Sequence, residues 1–280
     1  MEFVDVTDWE KDATNPAGNR IKIWLIHPLT KERYLFKEPK TEGEMIGEVA
    51  SYNIGVKLFG LSIPETQFAK QGIKRGSISK SFILEKDKGT IEFQEIVDYF
   101  GEDFDELDLN QYTLDKALTI VEELDCKSDF FDMVLFDFLI ANQDRHAQNW
   151  GILTDRKTKM KFFSPLYDNG FSLFSGYDDR KLEELAKDSK SFQAYTNRAK
   201  SLFFLQKKKP KFLNVLTELY KNDEEMFKIS FERFQTVEED KIFDLMKNTG
   251  LNDIRSKVIA RLICYRVTII GTLIEEKEVD

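Results

Sequence analysis

The 280-residue sequence predicts an α+β fold in two lobes. A small β-rich lobe with one helix is expected over residues 1–88, and a larger, mainly helical lobe over 89–280. Three observations predict this. Up to residue 88, short alternating apolar runs are separated by turn residues, the period-2 signature of strands. Beyond Gly89 the apolar residues recur at helical spacing. Within that second part, Asp129 to Ala141 is apolar on nearly every side yet too short to cross a bilayer, as expected of a helix at the centre of a lobe.

In chain order, Ile21, Ile23 and Leu25 alternate with their neighbours and Arg33 to Lys37 forms a second run, so 21–37 reads as a hairpin turning around Pro28. Met45, Ile46, Val49, Ile54, Val56 and Leu58 give a helical stripe from Gly43 to Phe59, stopped by Gly60-Leu61-Ser62-Ile63-Pro64. Glu65 to Ala69 and Ser79 to Glu85 are the next strands, with the glycines of Lys70–Gly76 supplying the turn. Helices are expected near 91–100, 113–124, 127–141, 212–221, 238–248 and 252–275, and a hairpin from Trp150–Leu153 and Lys161–Phe163. The last helix carries Ile254, Val258, Ile259, Leu262, Ile263, Val267, Ile270 and Leu273, a stripe that reads as core packing. No internal repeat of solenoid length and no low-complexity segment is visible.

A hydrophobic content of 41 % with 24 Phe, 9 Tyr and 3 Trp can fill a core, which excludes a disordered chain. The formal charge of −9 argues against non-specific nucleic-acid binding, which needs clustered cations. The one basic run, Lys207-Lys208-Lys209-Pro210-Lys211, reads as a solvated loop. Cys126 and Cys264, with no CxxC and no zinc set, read as buried thiols of a reducing compartment. The first residues lack a secretory signal and no stretch approaches a membrane span. A cytoplasmic location is the expectation, with export by a signal-less route left open.

Chemistry concentrates in Ala141-Asn142-Gln143-Asp144-Arg145-His146-Ala147-Gln148-Asn149-Trp150-Gly151, a polar loop directly after the central helix. Asp144 and Asn149 have the D-x-x-x-x-N spacing of a phosphotransferase loop, in which the Asp orients the acceptor hydroxyl and the Asn holds magnesium. Taken alone, each is better explained by local turn bonding. Asp168, nineteen residues after Asn149, lies in Ser164-Pro165-Leu166-Tyr167-Asp168-Asn169-Gly170, which repeats the logic of a D-x-G metal site. In the first lobe, Tyr34-Leu35-Phe36-Lys37 ends a strand with a lysine able to meet nucleotide phosphates. The next helix offers Glu44 and Glu48, of which Glu48 is the expected partner of Lys37. Upstream, the turn containing Gly18 and Asn19 could lay backbone amides over the phosphates.

Together with Gly47-Glu48-Val49-Ala50, these motifs resemble the HipA-like Ser/Thr kinases, in particular their short members, over most of the chain and in order. The resemblance implies a bilobal protein-kinase-like fold using ATP and Mg²⁺. In it Lys37 contacts the phosphates, Asp144 is the catalytic Asp, Asn149 and Asp168 carry the metal, and Leu84, Glu85 and Asp87 lie at the hinge that meets the adenine. The implied acceptor is a protein bearing Ser or Thr, with autophosphorylation possible in the family. The separate N-terminal subdomain of its long members is not expected here. Asp-Arg-His-x-x-Asn is also similar to the loop of phosphoinositide kinases, which makes His146 a second candidate proton acceptor and keeps a lipid kinase open. A small-molecule kinase and a nucleotide-binding pseudokinase acting as an interaction module stay open as well.

Overall fold

The computed structural model describes residues 1–14, 21–105, 108–205 and 208–279. Among the described residues, six strands lie in the first eighty: β1 (Val4–Asp5), β2 (Glu10–Lys11), β3 (Lys22–Ile26), β4 (Arg33–Lys37), β5 (Thr66–Gln71) and β6 (Lys74–Lys80). They form one sheet in the order β1-β5-β6-β4-β3-β2, in which β1 pairs parallel with β5 and the other neighbours pair antiparallel. Helix α1 (Glu42–Phe59) crosses between β4 and β5. Thr41 caps its start by accepting from the Glu44 N–H, and Gly60 closes it in the left-handed region at φ 63°. Side chains alternate across the sheet. Leu25, Phe36, Ala69 and Ile78 gather with Val6 into a small apolar cluster on one face, while Phe68 turns the other way, into the large core that α1 also enters.

A second, antiparallel sheet is made of β7 (Ile91–Glu95), β8 (Gly151–Asp155) and β9 (Lys161–Phe163). Around it are α2 (Leu114–Glu123), α3 (Lys127–Ile140), α4 (Asp179–Lys187), α5 (Ser189–Arg198), α6 (Phe212–Asn222), α7 (Glu224–Glu232), α8 (Glu239–Asn248) and α9 (Asp253–Val279). Helix α3 is buried from Phe130 to Ile140 and packs against α2, α6, α7 and α9, so its apolar circumference meets protein on all sides. Among the described residues no helix is long and apolar enough to cross a membrane.

Two expected elements differ. Residues 91–100 are not helical: Ile91–Glu95 pairs residue for residue with β8, and Ile96–Tyr99 is a single 3-10 turn. The strand expected at Ser79–Glu85 is β6, displaced toward the N-terminus, because the chain reverses within Gly72-Ile73 with Gly72 at φ 60°. Beyond Lys80, the Ser81 hydroxyl bonds both the N–H and the carbonyl of Ile83, a local alternative to sheet pairing, and Glu85–Asp87 forms a 3-10 turn.

Candidate active site

Lys37 is the last residue of β4, and α1 follows after four residues, so the lysine and the first turns of that helix are close by construction. The helix presents Gly43 and Gly47 on one face. A Cβ at Gly47 would sit 2.5 Å from the Gly170 carbonyl oxygen, and one at Gly43 would overlap the Ser175 carbonyl. The segment after Asp168 therefore lies directly on the helix, with the Ser51 and Ser172 hydroxyls 2.9 Å apart and the Thr41 hydroxyl donating to the Ser175 carbonyl at 3.1 Å. This approach sets Glu48 beside Asp168. Lys37 Nζ stands 2.7 Å from Glu48 Oε1 and 3.2 Å from Asp168 Oδ1. The Asn169 N–H donates to the second Glu48 oxygen at 3.1 Å. Lys22, opposite Lys37 in the hairpin register, adds a second cation 3.8 Å from Asp168 Oδ2.

Burial works against the Lys37 ammonium, but Asp168 and then Glu48 outweigh it and hold the pKa above the usual lysine range. Burial also pushes the Asp168 carboxyl upward, yet Lys37 and Lys22 prevail and keep it well below the usual carboxylate range. Glu48 is raised by burial, which Lys37 offsets only in part.

The loop of Asp144 is organised by a buried ion pair. Helix α3 ends with Ala141 left-handed at φ 58°, and the Asn142 N–H bonds back to the Asp137 carbonyl at 2.9 Å. Asp137 lies inside the otherwise apolar helix, where a carboxylate needs a partner. Arg145 supplies it: Nε and Nη2 donate to the two Asp137 oxygens, each at 2.9 Å. The remaining N–H groups of the fork reach the Asn149 carbonyl at 2.7 Å, the Tyr167 carbonyl at 2.6 Å and Asn169 Oδ1 at 2.6 Å. One guanidinium thus ties α3, the loop and the Asp168 turn together. Asn142 completes the frame by donating to Asp137 at 2.9 Å and accepting from the Asp144 N–H at 3.1 Å. The Asn149 amide N–H donates to the Asp144 carbonyl at 2.7 Å, which leaves Oδ1 as that side chain's other polar atom.

His146 senses the charges of both Asp144 and Asp168, but burial dominates and lowers its pKa, so the ring is neutral near pH 7. Its Nδ1 accepts the Gln148 N–H at 3.2 Å, placing the remaining ring proton on Nε2.

The structure therefore brings Lys37, Glu48 and Asp168 into contact and links them through Arg145 to the loop of Asp144, His146 and Asn149. Glu44 is engaged elsewhere, accepting from the Lys40 N–H at 3.0 Å. Leu84, Glu85 and Asp87 lie in the connection between β6 and β7, where Glu85 pairs with Lys88 and the Asp87 and Lys88 N–H groups donate to the Leu84 and Glu85 carbonyls. Gly18 and Asn19 lie outside the described residues. Sequence reasoning missed Arg145, Asp137 and Lys22, although a carboxylate in an apolar helix is itself a signal that a cation must follow.

A family model described as the HipA-like C-terminal domain matches residues 14–229. The serine/threonine-protein kinase CtkA of Helicobacter pylori is 26% identical over 181 residues, covering 58% of this chain and 52% of that protein, so the match spans about half the length of this curated relative. Among solved structures, the H. pylori proinflammatory kinase CtkA matches with a TM-score of 0.82 at 21% identity over 100% of both chains. HipA of Shewanella oneidensis, solved with HipB and operator DNA, matches with a TM-score of 0.56 at 10% identity, covering 96% of this chain and 68% of that one. The fold is the kinase-like one these structures share. Since the matched segment runs from the first hairpin through the Asp144 loop and the Asp168 turn into α7, the chain belongs to the HipA-like C-terminal domain family.

Proposed function

We propose that this protein is an ATP- and Mg²⁺-dependent protein Ser/Thr kinase, capable of autophosphorylation, whose reaction centre is the cluster of Lys37, Glu48, Asp168, Asp144 and Asn149. The observation that carries the reading is the convergence of Lys37 with Asp168 across more than a hundred residues, cross-linked by Arg145 to the Asp144 loop. Family membership and likeness to the kinase CtkA support it.

Phosphoryl transfer is mostly positioning and charge neutralisation. Lys37, held by Glu48 and kept protonated, would meet the nucleotide phosphates, with Lys22 beside it. Asp168, kept ionised, and the Asn149 side-chain oxygen form an all-oxygen donor set of the hard kind that suits magnesium. Among the described residues no cluster of three or more His, Cys, Asp or Glu forms a cage, so a metal here would complete its shell with phosphate and water oxygens. When bound, Mg²⁺ supplies neutralisation of the phosphate charge. Asp144 would orient the acceptor hydroxyl and take its proton as the oxygen bonds the γ-phosphorus and the bond to the β-γ bridging oxygen breaks, releasing ADP. His146 is a poor rival for that proton, because Nδ1 is engaged and Nε2 already carries a hydrogen. The adenine would meet the connection at Leu84–Asp87, and the turn with Gly18 and Asn19 would cover the phosphates.

Intact-mass measurement after incubation with ATP and Mg²⁺, alone and with protein acceptors, tests the proposal. Phosphoryl groups should appear on the wild type and be lost in Asp144→Asn, which should keep its fold and nucleotide binding while transfer drops about 10²–10⁴-fold. Undiminished transfer by that variant would defeat the assignment.

A further inference from the structure

Lys200, bridged to Lys211, borders the Asp144 loop. Residues 200–205 and 208–211 lie side by side, with antiparallel bridges joining Lys200 to Lys211 and Leu205 to Lys208, and with the Phe212 N–H donating to the Ala199 carbonyl at 3.0 Å. The base of this hairpin is fixed in the core. Phe203 stacks on Tyr112 at 4.7 Å and meets Phe130 and Trp150 edge-on, while the Trp150 indole N–H donates to the Tyr112 hydroxyl at 2.7 Å. The other side abuts the catalytic loop, where the Lys200 N–H donates to Gln143 Oε1, one residue before Asp144, at 3.1 Å.

Lys200, Lys208, Lys209 and Lys211 are exposed, and no Asp or Glu occurs between 199 and 212. Among the described residues none of the four forms an ion pair, although the chain holds more acids than bases. The backbone bridges set Lys200 against Lys211 and Leu205 against Lys208, and Lys209 senses both Lys200 and the reaction centre: burial and the like charge of Lys200 lower its pKa, and the opposing pull is that of Asp144. Uncompensated cations of this kind create a positive potential over about a Debye length, roughly 10 Å, enough to reach residues flanking an acceptor held at Asp144.

We propose that this lysine hairpin is an acceptor subsite that selects protein segments carrying Asp or Glu beside the Ser or Thr to be phosphorylated. The inference rests on the kinase reading above and deepens it by naming the acceptor class. Peptides identical except for acidic, neutral or basic flanks around one Ser are offered to the full chain with ATP and Mg²⁺. The wild type should favour the acidic peptide over the neutral one by about tenfold in kcat/KM, with the preference shrinking as salt rises. K208E/K209E reverses two of these charges and should abolish or invert that preference. An unchanged preference in the variant would overturn the proposal. So would a variant whose ATP affinity alone changes, since the lysines would then serve the nucleotide. Anisotropy binding of the labelled peptides to both proteins separates the two readings. Charge-dependent binding without transfer would sink the kinase reading and keep the subsite, whereas transfer indifferent to flanking charge would do the reverse.

Discussion

Replacing Arg145 with Lys keeps a positive charge near Asp137 and removes the geometry. All five guanidinium N–H groups are used, two on Asp137 and three on the Asn149 carbonyl, the Tyr167 carbonyl and Asn169 Oδ1. An ammonium offers three donors from a single point, so at least two of these acceptors lose their partner. The surroundings are closed to water, with Arg145, Asp137, Asn149 and Asn169 all buried, and an unsatisfied buried acceptor costs about 1–3 kcal/mol. Arg145→Lys should therefore destabilise by about 2–6 kcal/mol, a large part of the roughly 5–15 kcal/mol of a typical domain. At about 2–4 °C per kcal/mol the thermal midpoint should fall by roughly 5–20 °C. Urea unfolding followed by far-ultraviolet circular dichroism gives the same quantity from the shift in midpoint. Phosphotransfer should also fall at temperatures where the variant is fully folded, because the lost bonds join the Asp144 loop to the Asp168 turn. A variant with the wild-type urea midpoint, or one destabilised but fully active, would refute the role given to this residue.

Gly47→Ala separates helix propensity from packing. In a free helix the change would gain up to about 1 kcal/mol, whereas against the Gly170 carbonyl it should cost about 1–3 kcal/mol, so a stabilised variant in thermal melts would disprove the close approach. Burial, with neighbouring acids, pushes the Cys126 thiol up to about 12 and the Cys264 thiol up to about 11. Cys126 is buried as expected, whereas Cys264 is only half-buried; both should react slowly with a disulfide reagent at pH 8 in the native protein and quickly in denaturant, and rapid native labelling of Cys126 would contradict its burial. Burial lowers the His146 pKa, so below about pH 6.5 the unfolded chain takes up a proton before the folded one does and stability declines as pH falls through that window. His146→Gln should flatten that decline in urea titrations at stepped pH, and an identical slope would show that another group is responsible.

The helices most legible in the sequence are those with a wide apolar stripe or punctuated ends. Helix α1 has both, with Thr41 and Gly60 at its limits, and α3 is apolar almost throughout. Helices α4, α5 and α7 escaped because their apolar faces are thin, Leu182 and Leu185 being the buried residues of α4, and Phe192 with Thr196 those of α5. Their starts were nevertheless written locally, since Asp178, Asp188 and Asp223 each cap a helix through a side-chain oxygen. Strand β7 was harder for a different reason. Its partner β8 lies more than fifty residues away, and the apolar residues of the 3-10 turn after it mimic a helical continuation. In the site, Lys37 was readable at the end of β4, Glu48 from its place on the helix that follows, and Asp168 from its local motif in the connection after β9. Lys22 needed the hairpin register that sets it opposite Lys37.

Arg145 makes a contribution that a purely apolar core could not. A buried ion pair is often no more stabilising than apolar side chains of the same volume, so stability alone does not account for Asp137 and Arg145. Asp168 does. It is held left-handed at φ 58°, a conformation costing a non-glycine residue on the order of 1–3 kcal/mol unless its neighbours enforce it. The enforcement is on both sides: Arg145 binds the Tyr167 carbonyl before it and the Asn169 side chain after it, and Glu48 takes the Asn169 N–H. The carboxylate facing Lys37 is thereby aimed by groups that never touch it. If so, shortening the fork at Arg145 should disturb Asp168 before it disturbs Lys37 or Glu48, a sequence of effects that simple loss of core packing would not produce.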